Sequence, residues 1–219
     1  MVEPVSLWQA RLEALPASDP ARFADALALL SAMRDELGAR REQLHIDDGP
    51  DEGELRLYAG DVLVDELSHC GTMLVAGDLT VRRGIWSSED WATLIVAGTI
   101  RAANMVTQVA TVLCGGDLII DSVAFKDTIP GGHVETRGRL SAQLVIAGPD
   151  GEFLAAEEDV RWRFTSEDMA DAEADPQSPV WPRLRAVLIP EVFDEDGELD
   201  RGELMDRLDA GEDVLLAVE

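Results

Sequence analysis

The chain has 219 residues, 46% of them hydrophobic, enough to bury a core as one domain or two. Its 44 acidic residues against 18 Lys and Arg give a formal net charge of −26, which argues against direct contact with nucleic-acid phosphates and against docking on anionic membranes. No apolar run reaches the roughly 18–20 residues that span a bilayer, the start "MVEPVSLWQARLEALP" has no basic-then-apolar leader, and the two cysteines are too few for a disulfide framework, so a cytoplasmic protein is expected.

The first predicted element is a helix in "SDPARFADALALLSAMRDELGARREQL", with Asp19 as N-cap and Pro20 at the first helical position. Phe23, Ala26, Leu27, Leu30, Met33 and Leu37 recur at helical spacing and make one apolar stripe suited to core packing. Arg40 and Arg41 follow near its end, where the helix dipole favours cations. Residues 1–46 therefore read as an N-terminal helical cap, and "DDGPDEG" (47–53) as a linker turn.

From residue 54 to 155 the chain repeats itself. Gly60 in "YAGDVLV", Gly77 in "VAGDLTV", Gly98 in "VAGTIRA", Gly116 in "CGGDLII" and Gly138 in "TRGRLSA" are equivalent, spaced by 17, 21, 18 and 22 residues. Such a step suits one turn of a parallel β-solenoid. In the four residues after each glycine, the second and fourth are always apolar and the first always polar, an in/out alternation. Stacking aligns Val62, Leu79, Ile100, Leu118 and Leu140 in one column and Val64, Val81, Ala102, Ile120 and Ala142 in the next. The segments before the glycines, such as Met73–Ala76 and Leu94–Ala97, are apolar on both faces, so a helix, subunit or partner must cover their outer side. The uneven steps are read as corner insertions, "RRGIWSSEDW" (82–91) and "FKDTIPGGH" (125–133).

After residue 155 the composition changes. Residues 156–219 hold 20 acidic residues against 6 arginines and read as a small acidic α+β segment. "RLRAVLIPEVF" suggests a short strand ended by Pro190, "LDRGELMDRLDAG" a helix with Asp200 as N-cap and Gly211 as stop, and "DVLLAV" a last strand.

The candidate chemistry is sparse. "DEDGELDRGE" matches an EF-hand loop at Asp194, Asp196, Gly197, Asp200 and Glu203, but Val192 holds the first ligand position and Pro190 stands where the entering helix should be. His45, His69 and His133 share no metal-ligand spacing, and the adjacent His69 and Cys70 would point to opposite faces of a strand. Cys114 aligns with Val75 and Val96 and reads as a small buried hydrophobe. No nucleophile–base arrangement or phosphate loop is visible, so no enzyme activity, metal or cofactor is expected. Trp86 and Trp91 flank "SSED" and could fold back on the solenoid or form a binding hot spot.

The stretch from about Leu57 to Ala155, through "LVAGDLTV", "LIVAGTIRA" and "VLCGGDLII", resembles the bactofilin-like, polymer-forming bacterial β-solenoids. The resemblance implies a right-handed parallel β-helix, here of about five turns in a mainly β protein. It covers nearly half the chain; the long helix before it and the acidic segment after it depart from the group and would hinder end-to-end stacking. Glycine-phrase solenoids of this kind also resemble bacterial proteins of the toxin–immunity type. The expected function is a non-enzymatic protein-binding module, concretely a cytoplasmic immunity or inhibitor protein that occludes a basic toxin such as a nuclease. The contact candidates are Glu157, Glu158, Asp159, Asp194, Glu195, Asp196, Glu198, Trp86 and Trp91. A self-assembling scaffold is the alternative, and a homo-oligomer is compatible with either.

Overall fold

Each glycine-led phrase forms one strand of a stacked parallel sheet. The computed structural model describes residues 21–68, 70–87, 92–127, 132–149 and 151–217, with the side chains of 21–23 and 40 excepted. Helix α1 (Ala21–Leu37) and a 3-10 turn (Gly38–Arg40) come first. Thirteen strands follow: β1 (Gln43–His45), β2 (Leu55–Tyr58), β3 (Asp61–Val64), β4 (Leu67–Ser68), β5 (Thr72–Val75), β6 (Leu79–Ser87), β7 (Thr93–Val96), β8 (Ile100–Thr107), β9 (Thr111–Cys114), β10 (Leu118–Ile120), β11 (Val123–Lys126), β12 (Val134–Ala147) and β13 (Phe153–Phe164). Helices α2 (Ser166–Ala174), α3 (Val180–Arg185) and α4 (Arg201–Asp209) close the chain, with a 3-10 turn at Pro190–Val192.

The strands wind into a three-sided parallel β-solenoid of about six turns. The first face stacks β1, β3, β6, β8, β10, β12 and β13. The expected column stands in register: Val62 lies against Leu79, Leu79 against Ile100, Ile100 against Leu118, and Leu118 against Leu140. All five side chains are buried in one interior core, which also takes Val64, Val81, Ala102, Ile120 and Ala142. Each fully buried Leu or Ile in such a column contributes about 1.5–3 kcal/mol. The second face stacks β2, β5, β7, β9 and the starts of β12 and β13. The third face is built by β4, β11 and the far halves of β6, β8, β12 and β13.

The third face corrects the expected corner insertions. Residues 82–87 continue β6 around a corner, and Phe125 and Lys126 belong to β11. The pairing of β6 with β8 shifts register between Val81 and Gly84, so the in/out alternation of the first face does not run on into the third. The stacked strands also continue in β13 to Phe164, past residue 155, where the composition changes.

Apolar outer sides explain what covers the solenoid. Ala26, Leu27, Leu30 and Met33 of α1 pack on Leu74, Ala76, Ile95, Ala97 and Leu113 of the second face. The helix thus lies along the flank of the stack. Asp19 and Pro20, its expected start, fall outside the described residues. The C-terminal helices bury the outer side of the third face, where Val106, Val123, Phe125, Leu144 and Ile146 meet Met169, Trp181, Leu184, Leu204 and Leu208.

The C-terminal segment differs from its expected strands. The start of the stretch read as a strand belongs to helix α3, which ends at Arg185 and has Pro182 in its first turn, where a missing N–H costs nothing; a turn and the bridging Leu188 follow. In place of the expected strands stand two isolated antiparallel bridges, Leu188 with Leu215 and Phe193 with Leu199. Helix α2 is an addition: Thr165 and Asp168 form a capping box, each side chain bonded to the other's backbone N–H. Helix α4 begins at the expected cap, Asp200, which accepts the Glu203 N–H.

Candidate partner-binding surface

The corner between the second and first faces is a column of glycines and carboxylates. Gly77, Gly98, Gly116 and Gly138 each donate their N–H to the glycine one turn below, at 2.8–3.1 Å. Asp61 accepts the Asp78 N–H at 2.9 Å, Asp78 accepts the Thr99 N–H at 2.9 Å, and Asp117 accepts the Arg139 N–H at 2.8 Å. A Cβ on Gly77 would run into Asp61 Oδ1 and the Gly60 carbonyl, and one on Gly138 into Asp117 Oδ1. The Gly-Asp pair is therefore one device: the absent side chain makes room for the carboxylate of the turn below.

Helix α1 is clamped to this column. Arg34 Nη1 lies 2.7 Å from Asp78 Oδ1, and Arg41 Nη1 lies 3.7 Å from Asp61 Oδ1. Burial alone would raise the Asp78 carboxyl. The Thr99 N–H and the Arg34 and Arg41 guanidiniums outweigh it and hold the group below the usual carboxylate range.

The carboxylates proposed from sequence fall into two groups. Glu157 and Glu158 are engaged within the chain, with Arg139 at 3.0 Å and Arg163 at 2.8 Å. Glu158 sits opposite Leu140 and Arg163 opposite Val145, so both hold positions that the turns directly below give to the apolar interior. Arg163 also donates to the Phe153 carbonyl at 3.1 Å. This pair closes the mouth of the core with charge while leaving the Glu158 carboxylate partly exposed. Asp159, beside it, is exposed.

Asp194, Glu195, Asp196 and Glu198 form the second group, on a tight turn bridged by Phe193 and Leu199. Asp194 Oδ1 accepts the N–H groups of Asp196 at 3.0 Å and Glu198 at 2.9 Å, and Gly197 takes a positive φ of 80°. Glu203 pairs with Arg207 at 2.6 Å, and Asp200 caps α4. Local turn and cap bonds thus use the positions that an EF-hand would aim at an ion. Among the described residues, no three of His, Cys, Asp and Glu are grouped as metal ligands.

Trp86 points outward from the third face, half-buried against the C-terminal core. Trp91 and His69 lie outside the described residues. His133 is partly exposed, 3.7 Å from Glu135. Cys114 is buried in the interior, its thiol pushed up to about 11 by desolvation and donating to the Gly98 carbonyl at 3.1 Å. That is a core side chain, as its alignment with Val96 implies.

Sequence reading missed two features that shape this surface. One is the Glu158–Arg163 closure, whose signal was a charge at the column position of Leu140. The other is a groove beside Trp86, whose walls come from residues 66–108 of the solenoid and residues 205–209 of α4. No helix among the described residues is long and apolar enough to cross a membrane. Comparison of the chain with protein-family models, with curated proteins and with solved structures gave no match.

Proposed function

We propose that the protein is a non-enzymatic binding module, most concretely a cytoplasmic immunity or inhibitor protein that occludes a basic toxin, with a nuclease as the concrete case. One observation carries this reading. The arginines of the C-terminal segment are largely spent inside the fold, on Glu158, Asp168, Glu173, Glu203 and Glu212. The exposed Asp159, Glu195 and Asp196 form no ion pair among the described residues. Asp159 stands on the stacked strand β13 and Glu195 and Asp196 on a turn already fixed by its own hydrogen bonds, so presenting this charge costs little ordering entropy. The summed field steers a basic protein to the surface, and carboxylates then take the places its substrate phosphates would occupy.

The closed mouth of the core weighs against a self-assembling scaffold. Stacking a second solenoid on that end would bury Glu158 and Arg163 between two apolar interiors, at a cost of several kcal/mol per ion.

The test is calorimetric titration of the purified chain with the basic protein recovered alongside it from its native host. Tight binding that falls steeply with salt supports the reading. Recovery of no basic partner, with no protection against a co-expressed neighbouring toxin, overturns it.

A further inference from the structure

Trp86 packs against the backbone of its own strand. Its indole lies over Gly84, where a Cβ would stand 2.8 Å from Nε1 and 3.1 Å from Cε2. Only a residue without a side chain leaves that space. The ring lines an open groove of about 480 Å³ between the third face and α4. That volume lies within the range of about 300–1,000 Å³ typical of ligand sites.

The chemistry of the groove is specific. Met205 and Val106 supply apolar wall, while Glu66, Asp206 and Asp209 bring carboxylates to it. Glu66 is paired with Arg83 at 2.7 Å. Asp206 and Asp209 are exposed and pair with no cation among the described residues. Gln108 is held between the solenoid and α4: its side-chain amide donates to Asp127 Oδ2 at 3.4 Å and to Met205 Sδ at 3.9 Å, and its main-chain carbonyl accepts Lys126 Nζ at 2.7 Å.

We propose that this groove receives one basic side chain from the surface of a protein partner, its cationic head over the Trp86 indole and against Asp206 and Asp209. The proposal rests on the binding of a basic protein argued above and gives that interaction an anchor. An indole face attracts a cation through its quadrupole, and two unpaired carboxylates add charge complementarity. The thioether and the indole cover the aliphatic stem, as apolar walls do for long basic side chains elsewhere. A neutral or acidic side chain gains none of the electrostatic part.

The test is an NMR titration of the whole ¹⁵N-labelled protein with short capped peptides carrying one arginine or one lysine. The same peptides with citrulline or norleucine in that place are the controls. The Trp86 indole resonance, assigned with W86F, and the Gln108 side-chain amide are expected to shift with the cationic peptides alone. The surface variant D206N/D209N, which touches no core position, is expected to weaken that binding about tenfold. Equal shifts with the neutral peptides, no shift at Trp86, or unchanged affinity in D206N/D209N overturns the proposal. A basic partner that binds D206N/D209N as tightly as the original chain removes the groove and leaves the binding module standing. Cationic peptides seated at Trp86 with no basic partner recovered would do the reverse.

Discussion

Arg34 of the flanking helix and Asp78 of the solenoid meet on an oxygen already in use. Arg34 Nη1 is 2.7 Å from Asp78 Oδ1, the same atom that accepts the Thr99 N–H at 2.9 Å. One carboxylate therefore ties three pieces together: its own turn, the turn above and α1. Asp78→Ala is expected to cost about 2–3 kcal/mol in urea unfolding, since it strands a backbone donor and a half-buried guanidinium. Arg34→Ala is expected to cost no more than about 1 kcal/mol, because both side chains of the pair reach solvent. Equal losses for the two variants would contradict the shared role of Asp78.

Acid should loosen the same clamp. Asp78 and Asp168 both titrate below their ordinary values; burial raises each, and N–H donors and arginines more than reverse it. A carboxyl depressed in the folded state stabilises it above the unfolded pKa, and that contribution is lost as pH falls through the folded one. Stability is therefore expected to hold down to about pH 4 and to drop below it. Asp78→Asn should flatten that acid limb in a series of thermal melts from pH 6 to pH 2.5.

The corner column makes a sharp contrast between glycines. Gly77→Ala would drive its Cβ into Asp61 Oδ1 and the Gly60 carbonyl and is expected to cost about 3 kcal/mol or prevent folding. Gly202→Ala, in the first turn of α4, meets only Asp200 Oδ1 at 3.3 Å. It should be neutral or stabilise by up to about 1 kcal/mol, because alanine favours the helix. Chemical denaturation of the two variants side by side checks this.

Charge at the mouth of the core should control self-association. In E158V/R163V both interior positions become apolar, and the last turn offers an uncovered hydrophobic edge. The double variant is expected to sediment as larger species than the original chain at equal concentration. Identical sedimentation would show that the pair has no part in keeping solenoids apart.

The two thiols should separate cleanly. Cys70 is partly exposed, whereas Cys114 is buried with its pKa near 11. A thiol reagent at pH 8 is expected to modify about one equivalent rapidly and the second only after unfolding. Fast reaction of both would place Cys114 outside the core.

The first face was legible because the glycines set its phase and the alternation after each is strict, from Val62 up to Leu140. The third face was not. A register shift between Val81 and Gly84 breaks the alternation, and Arg82 and Arg83 give residues 82–91 the composition of a loop. Helix α2 did leave a signal, Thr165 with Asp168 three residues on, inside an acidic stretch without a clear apolar stripe. Among the contact candidates, acidity could be read but pairing could not. Glu157 is taken up by Arg139 across the strand register, and Glu158 by Arg163 five residues on along β13. Trp86 was visible as a candidate; its groove was not, because Met205 and Asp206 arrive from the far end of the chain.

Helix α1 runs along the stack, with Ala24 and Leu27 beside Leu113 and Glu135 and Arg34 at Asp78. Its 17 residues measure about 25 Å at 1.5 Å per residue, the height of roughly five strands spaced about 4.8 Å apart. The helix is a ruler as well as a cover. A turn duplicated into the middle of the solenoid would lengthen the stack past its splint and leave one rung of apolar residues facing water, so the number of turns and the length of this helix must change together.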